Sequence, residues 1–223
     1  MIRSLIALAL LTSTAALAEP PAKPEAKETK TAPPKPAATT PTNAPPAGPP
    51  VATSTAPDLL DPNPAPATIK VSIGGLKDGA VDNASVFKGF GCAGDNKSLA
   101  VSWEGAPKDT KSFAVIVHDP DAPTGVGFFH WTVFNLPATT TKLDLGASGK
   151  TGGVEGYTDF GMSAYGGPCP PPGAPHRYIV TVYALKVPKL DGADAKSTGA
   201  LLRFMLNGNA LALGRTTATY GRK

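Results

Sequence analysis

Ser112-Phe113-Ala114-Val115-Ile116-Val117-His118-Asp119-Pro120-Asp121-Ala122-Pro123 decides the class of fold. The apolar, largely β-branched run Phe113 to Val117 reads as a buried strand. It ends where aspartates and prolines interleave. A residue before proline is held away from the helical region and each proline fixes φ, so Asp119 and Asp121 are set rigidly at the strand's end. Working outward, similar runs at Ile69 to Ile73, Leu99 to Trp103, Trp131 to Asn135 and Tyr178 to Leu185 are separated by Gly, Pro and Asp clusters. Together they predict a mostly β domain. One segment, Ser197 to Asn209, has helical character, with Ser197 as N-cap, an apolar stripe of Leu201, Leu202, Met205 and Leu206, and Gly208-Asn209 as its end. A closing strand is expected from Ala210 to Tyr220, and no internal repeat is present.

Upstream the composition changes. Of the 25 prolines, 15 precede Ala67, and the segment 19–67 is Pro, Ala, Thr and Lys with almost no large apolar residue. Such a stretch cannot bury enough surface to offset chain entropy and is expected to be a disordered, semi-extended linker. Before it, 1–18 has Arg3, an apolar stretch from Leu5 to Leu11 and the small-residue ending Ala16-Leu17-Ala18, the pattern of a secretory signal peptide. The domain is then 68–223, and the expected location is periplasmic or secreted. No later run approaches the roughly 20 apolar residues of a membrane span, so the mature chain is expected to have no transmembrane segment. The formal charge of +4, from 21 basic and 17 acidic residues without a dense cluster, argues against a dedicated nucleic-acid binder.

The chemistry collects in two segments. The three histidines, His118, His130 and His176, all lie in or beside stretches dense in Gly, Pro and Asp. The first segment runs from His118 to Pro123 and is followed by Phe128-Phe129-His130-Trp131. The second is Tyr165-Gly166-Gly167-Pro168-Cys169-Pro170-Pro171-Pro172-Gly173-Ala174-Pro175-His176-Arg177-Tyr178. Period-2 alternation puts His176, Tyr178, Val180 and Val182 on one face of a strand and Arg177, Ile179, Thr181 and Tyr183 on the other. It also places His118 opposite Asp119. Two carboxylates and two imidazoles could ligate a metal, act as an acid/base set, or form a network that orients anion-binding groups. No HExxH-like spacing supports a metal, and no Ser or Thr sits in a nucleophile elbow.

These residues also carry a resemblance. Asp119-Pro120-Asp121-Ala122-Pro123, His130-Trp131 and Gly167-Pro168-Cys169-Pro170-Pro171-Pro172-Gly173 with His176-Arg177-Tyr178 resemble the signature regions of the phosphatidylethanolamine-binding protein family, in its bacterial YbhB/YbcL, or Raf kinase inhibitor-like, branch. The similarity runs from Ile69 to Tyr220 and includes Phe90-Gly91-Cys92 before Asn96, Trp103-Glu104-Gly105-Ala106-Pro107 and Asp159-Phe160-Gly161. Leu99 stands where that branch carries proline. The resemblance implies a β-sandwich of antiparallel sheets with a C-terminal helix and a small anion pocket at one end. Its residues would be Asp119, Asp121, His130, His176 and Tyr178, with Pro123 beneath and Tyr165, Gly166, Gly167 and Pro168 as the loop wall. It also implies a Cys92–Cys169 disulfide, since these are the only cysteines, the leader predicts an oxidising compartment, and exported relatives carry a pair at matching positions.

The expected function is therefore that of a non-catalytic module binding a small anion, phosphate or a phosphorylated headgroup, with no cofactor and no metal. A protein target follows only by analogy with the family's inhibitory members. The alternative is a hydrolase using the Asp/His pocket on a phosphoryl or similar anionic substrate. In the preferred arrangement the carboxylates orient the imidazoles and raise their pKa values, while cationic histidines and loop N–H groups face the anion.

Overall fold

The structure is a computed structural model and describes residues 69–223. The expected signal peptide over 1–18, the expected linker over 19–67 and the expected domain boundary at 68 lie outside the described residues. In chain order the strands are β1 (Lys70–Gly74), β2 (Leu76–Lys77), β3 (Ala80–Val81), β4 (Lys88–Gly89), β5 (Cys92–Ala93), β6 (Ala100–Glu104) and β7 (Ser112–Asp119). They continue with β8 (Phe128–Pro137), β9 (Lys142–Leu143), β10 (Val154–Glu155), β11 (His176–Leu185) and, after the helix α1 (Gly199–Asn209), β12 (Ala210–Tyr220). The closing strand has the bounds read from the sequence. Strands β8 and β11 begin earlier than expected, at Phe128 and His176, which brings His130 and His176 into regular ladders.

A three-stranded sheet, β1-β6-β9, faces a seven-stranded sheet ordered β10-β8-β7-β11-β12-β3-β2, and β4-β5 form a separate hairpin. Pairing is antiparallel throughout the named strands except between β12 and β3, where Thr219 meets Ala80 in parallel. Every residue of β7 is buried, because the large sheet is covered on both faces. Toward the small sheet, Phe113, Val115 and Val117 join Tyr178, Val180, Val182, Val71, Val101 and Trp103 in one core. On the other face Ala114, Ile116, Tyr183 and Leu185 pack against Leu202 and Leu206 of α1. The alternation read along β11 is thus the division between two cores. Leu99 fills the first core, 2% exposed.

The helix differs in detail from its sequence reading. Its N-cap is Thr198, whose Oγ1 accepts from the Leu201 N–H, while Ser197 Oγ is taken by the Asp194 turn. Adjacent hydroxyls at 197 and 198 made the cap ambiguous by one residue. Of the expected stripe, Leu202 and Leu206 are buried and Met205 packs partly, but Leu201 is exposed.

Where β1 crosses β12, no side chain fits between the backbones. A Cβ added at Gly214 would lie 1.9 Å from the Ile69 carbonyl oxygen. Gly214→Ala is expected to destabilise the domain by roughly 1–3 kcal/mol, as overpacking does. Urea denaturation measures it, and an unchanged midpoint would show that β1 is free to shift.

Candidate functional site

The C-terminal end of β7 and the first residues of β8 and β11 lie side by side, His118 pairing with Phe129 and with Ile179. A cavity of about 210 Å³ opens at this end of the large sheet. Asp119, His130, His176 and Tyr178 line it together with Pro123.

Asp119 ends β7 almost wholly buried. Its Oδ1 accepts the Asp121 N–H at 2.8 Å, the local bond that an aspartate before proline is placed to make, and its Oδ2 accepts from His176 Nδ1 at 2.8 Å. The carboxylate thus aims the His176 imidazole. His130 is buried on β8, and its Nδ1–H donates to the Gly166 carbonyl at 2.8 Å while Gly166 N–H returns a bond to the His130 carbonyl. That carbonyl partner sets the tautomer and leaves Nε2 as an acceptor. The Tyr178 ring meets His130 edge to face at 5.0 Å.

Burial pushes the His130 imidazole down from 6.5 to about 4, outweighing the carbonyls of Gly166 and Gly167 and the charge of Asp119. For His130 this corrects the expectation of a raised pKa. A neighbouring carboxylate was visible in the sequence, but the depth of the ring was not. Burial, and then the charge of Asp119, push Tyr178 well above the ordinary phenol value, so it remains a donor. Its Oη is buried beside the Asp119 carboxylate and makes no hydrogen bond of standard geometry among the described residues.

Five other residues expected at the pocket do not line it. Asp121 turns to Arg177, accepting from its Nη2 at 2.7 Å, its Nε at 2.9 Å and its backbone N–H at 2.8 Å. The Arg177 hydrogen bonds hold its carboxyl below the usual aspartate value against partial burial. Tyr165 donates its hydroxyl to the Ser85 carbonyl behind the wall. Gly166, Gly167 and Pro168 are buried, and the two N–H groups of this loop are already taken: Gly166 N–H meets the His130 carbonyl, Gly167 N–H meets Asn96 Oδ1 at 2.8 Å, and Pro168 has no N–H to offer. Buried backbone groups need partners, and here the fold supplies them. The glycines serve close approach instead. A Cβ at Gly166 would lie 2.2 Å from the Phe160 ring, and one at Gly167 2.1 Å from the Ser85 carbonyl.

Sequence reasoning left three aromatic walls without a role: Phe90, Phe128 and Phe160. Two of them stand in segments that carried the resemblance. Cys169, Pro170 and Pro171 complete that side, and Cys92 and Cys169 are joined in a disulfide. His118 lies outside the cavity, its ring against Phe129 at 4.6 Å.

With this geometry in place, comparison with known proteins decides the family. The profile described as phosphatidylethanolamine-binding protein matches residues 77–221. The chain belongs to the phosphatidylethanolamine-binding protein family. It is 46% identical over 162 residues to YbcL of Escherichia coli strain K12, an alignment covering 69% of this chain and 88% of YbcL. It is 43% identical over 151 residues to YbhB of the same strain, covering 65% and 95%. The crystal structure of E. coli YbcL, described as a new member of the mammalian family, superposes with a TM-score of 0.67 at 45% identity, covering 70% of this chain and all of that one. A family homolog from Chlamydia trachomatis superposes with a TM-score of 0.60 at 28% identity, covering 70% and 99%. The resemblance read from the motifs and the mostly β fold with its C-terminal helix both hold.

Proposed function

We propose that the pocket binds the oxyanion of a small ligand, phosphate or a phosphorylated headgroup, without turning it over. The observation that carries this reading is the convergence of Tyr178, His176 and His130 on the cavity lining, with the Tyr178 hydroxyl buried beside the Asp119 carboxylate and in no hydrogen bond of standard geometry. Such a group is costly to leave unmatched, at about 1–3 kcal/mol, and an incoming oxyanion oxygen matches it. His176, whose Nδ1 is held by Asp119, supplies a second donor through Nε2 when its ring is protonated. Neutral His130 offers Nε2 to a protonated oxygen, so the favoured form is the monoanion of a phosphate monoester.

Three features favour binding over hydrolysis. His130, with its pKa near 4, is a weak base at neutral pH. Thr124 Oγ1 donates to the Gly127 carbonyl, and Cys169 is held in the disulfide. An exported site of action, periplasmic or secreted, belongs to the same reading, since a disulfide persists in an oxidising compartment. Cell fractionation tests it.

Calorimetric titration with phosphoethanolamine tests the site. Tyr178→Phe should weaken binding about tenfold or more, because a hydrogen bond to a charged group is lost, while the melting temperature stays level or rises. His130→Ala should weaken binding directly, and Asp119→Ala by releasing His176. Affinity should fall as pH rises through about 6, where the ligand loses its second proton. Equal affinities across the wild type and all three variants would overturn the assignment. Hydrolysis of a phosphoester that His130→Ala abolishes would make the protein a hydrolase instead.

A further inference from the structure

The polar lining accounts for only the charged end of a ligand. Its donors are Tyr178 and, when protonated, His176, and the Arg177 guanidinium nearby is engaged with Asp121, so little positive charge is left to draw in a highly charged anion. The rest of the cavity is mostly apolar, walled by Phe90, Phe128 and Phe160 and by Pro123, Pro170 and Pro171. Phe160 meets Phe128 edge to face at 4.9 Å and His130 at 5.3 Å, and Phe90 stands nearly parallel to Phe160, 15° apart in plane and 6.2 Å between centroids.

Phe90 is unusual on two independent counts. It is 71% exposed at the mouth, and its backbone lies in the left-handed region at φ 52°, which a bulky side chain adopts only where its surroundings impose it. Those surroundings are the hairpin β4–β5, the disulfide from Cys92 to the opposite wall, and Arg222, whose Nη1 donates to the Phe90 carbonyl at 3.3 Å. The backbone that carries this exposed ring is thus held at the pocket's mouth.

Size selects the occupant. A dry cavity of about 150 Å³ takes up benzene, so about 210 Å³ accommodates one ring with its oxyanion and would leave long acyl chains outside. Resting on the oxyanion reading above, we propose that Phe90, Phe128 and Phe160 form a collar for the flat ring of an aromatic oxyanion, an aryl phosphate or an aryl carboxylate, whose charged end meets Tyr178 and His176. Offset and edge-to-face ring contacts of this kind are the preferred aromatic geometry.

The test is calorimetric titration of the purified protein with phosphate, phenyl phosphate, n-hexyl phosphate, acetate and benzoate, repeated on Phe90→Ala. The ring should improve affinity about tenfold or more over the ringless partner in the phosphate pair, the carboxylate pair or both, and the better pair identifies the oxyanion. Phenyl phosphate should also exceed n-hexyl phosphate, which has the same number of carbons. Phe90→Ala should reduce the ring's advantage roughly three- to tenfold while leaving the ringless ligand unchanged. A ring that adds nothing, a hexyl chain that binds as well as the ring, or an equal loss for both members of a pair in Phe90→Ala would overturn the collar and leave the oxyanion site standing. No binding by any of the five would overturn both readings. Ring-dependent binding that Tyr178→Phe does not weaken would uphold the collar and overturn the placement of the charged end.

Discussion

Replacing Cys92 and Cys169 together by serine is expected to lower the unfolding free energy by up to about 4.5 kcal/mol, the chain-entropy figure for a loop of this length and an upper bound on the loss. The bridge spans 77 residues of sequence and joins Cα atoms 6.0 Å apart, a separation a disulfide accommodates. For a domain of this size each kcal/mol moves the melting temperature by about 2–4 °C, so a fall of up to roughly 9–18 °C should appear in thermal unfolding. The bridge also acts locally. Without it the hairpin keeps the pairs Lys88 with Ala93 and Gly89 with Cys92, but its tie to the Cys169-Pro170-Pro171 wall is gone. The double variant should therefore lose the affinity that an aromatic ring contributes as well as stability. A stability change under 1 kcal/mol would show that the unfolded chain is already restrained by other means.

What the sequence disclosed of the fold follows from burial. Strand β7 was legible because both its faces are covered, so its apolar run is continuous, and β11 because its two faces feed two cores. The two-residue strands carry too few side chains to leave a periodic signal. For the site, the residues that sit on strands, Asp119, His130, His176 and Tyr178, were legible because alternation and proline-fixed ends constrain them. Asp121 was not, since its direction depends on the register that sets Arg177 beside it. The loop N–H groups were misread for a related reason: Asn96, distant in sequence and itself at φ 55°, reaches in to accept from Gly167. The aromatic walls come from three separated segments, and loop residues have no period from which a side chain's direction can be inferred.

Acid should destabilise the domain in a window that His130 defines. Its folded pKa of about 4 lies below the ordinary 6.5, so between these values the unfolded chain binds a proton that the folded one does not. Stability is then complete above pH 6.5 and declines as pH falls through 6.5 toward 4, and below that this group adds no further loss. The interval corresponds to roughly 3 kcal/mol. The charge of Asp119 moderates the effect and that of His118 adds to it, but burial dominates. The Asp121–Arg177 pair acts elsewhere: its carboxyl is held below the ordinary 3.8, so its contribution is lost only at still lower pH. The two processes are therefore separable along one titration. Denaturant unfolding at pH 7, 6, 5, 4 and 3 should give a falling midpoint in the wild type. His130→Asn retains a side-chain donor for the Gly166 carbonyl but no titrating group, and it should flatten that slope while keeping the decline below pH 4. Parallel slopes in the two proteins would mean that the imidazole accepts a proton in the folded state at its ordinary pKa, and that His130 is available to the pocket as a cation after all.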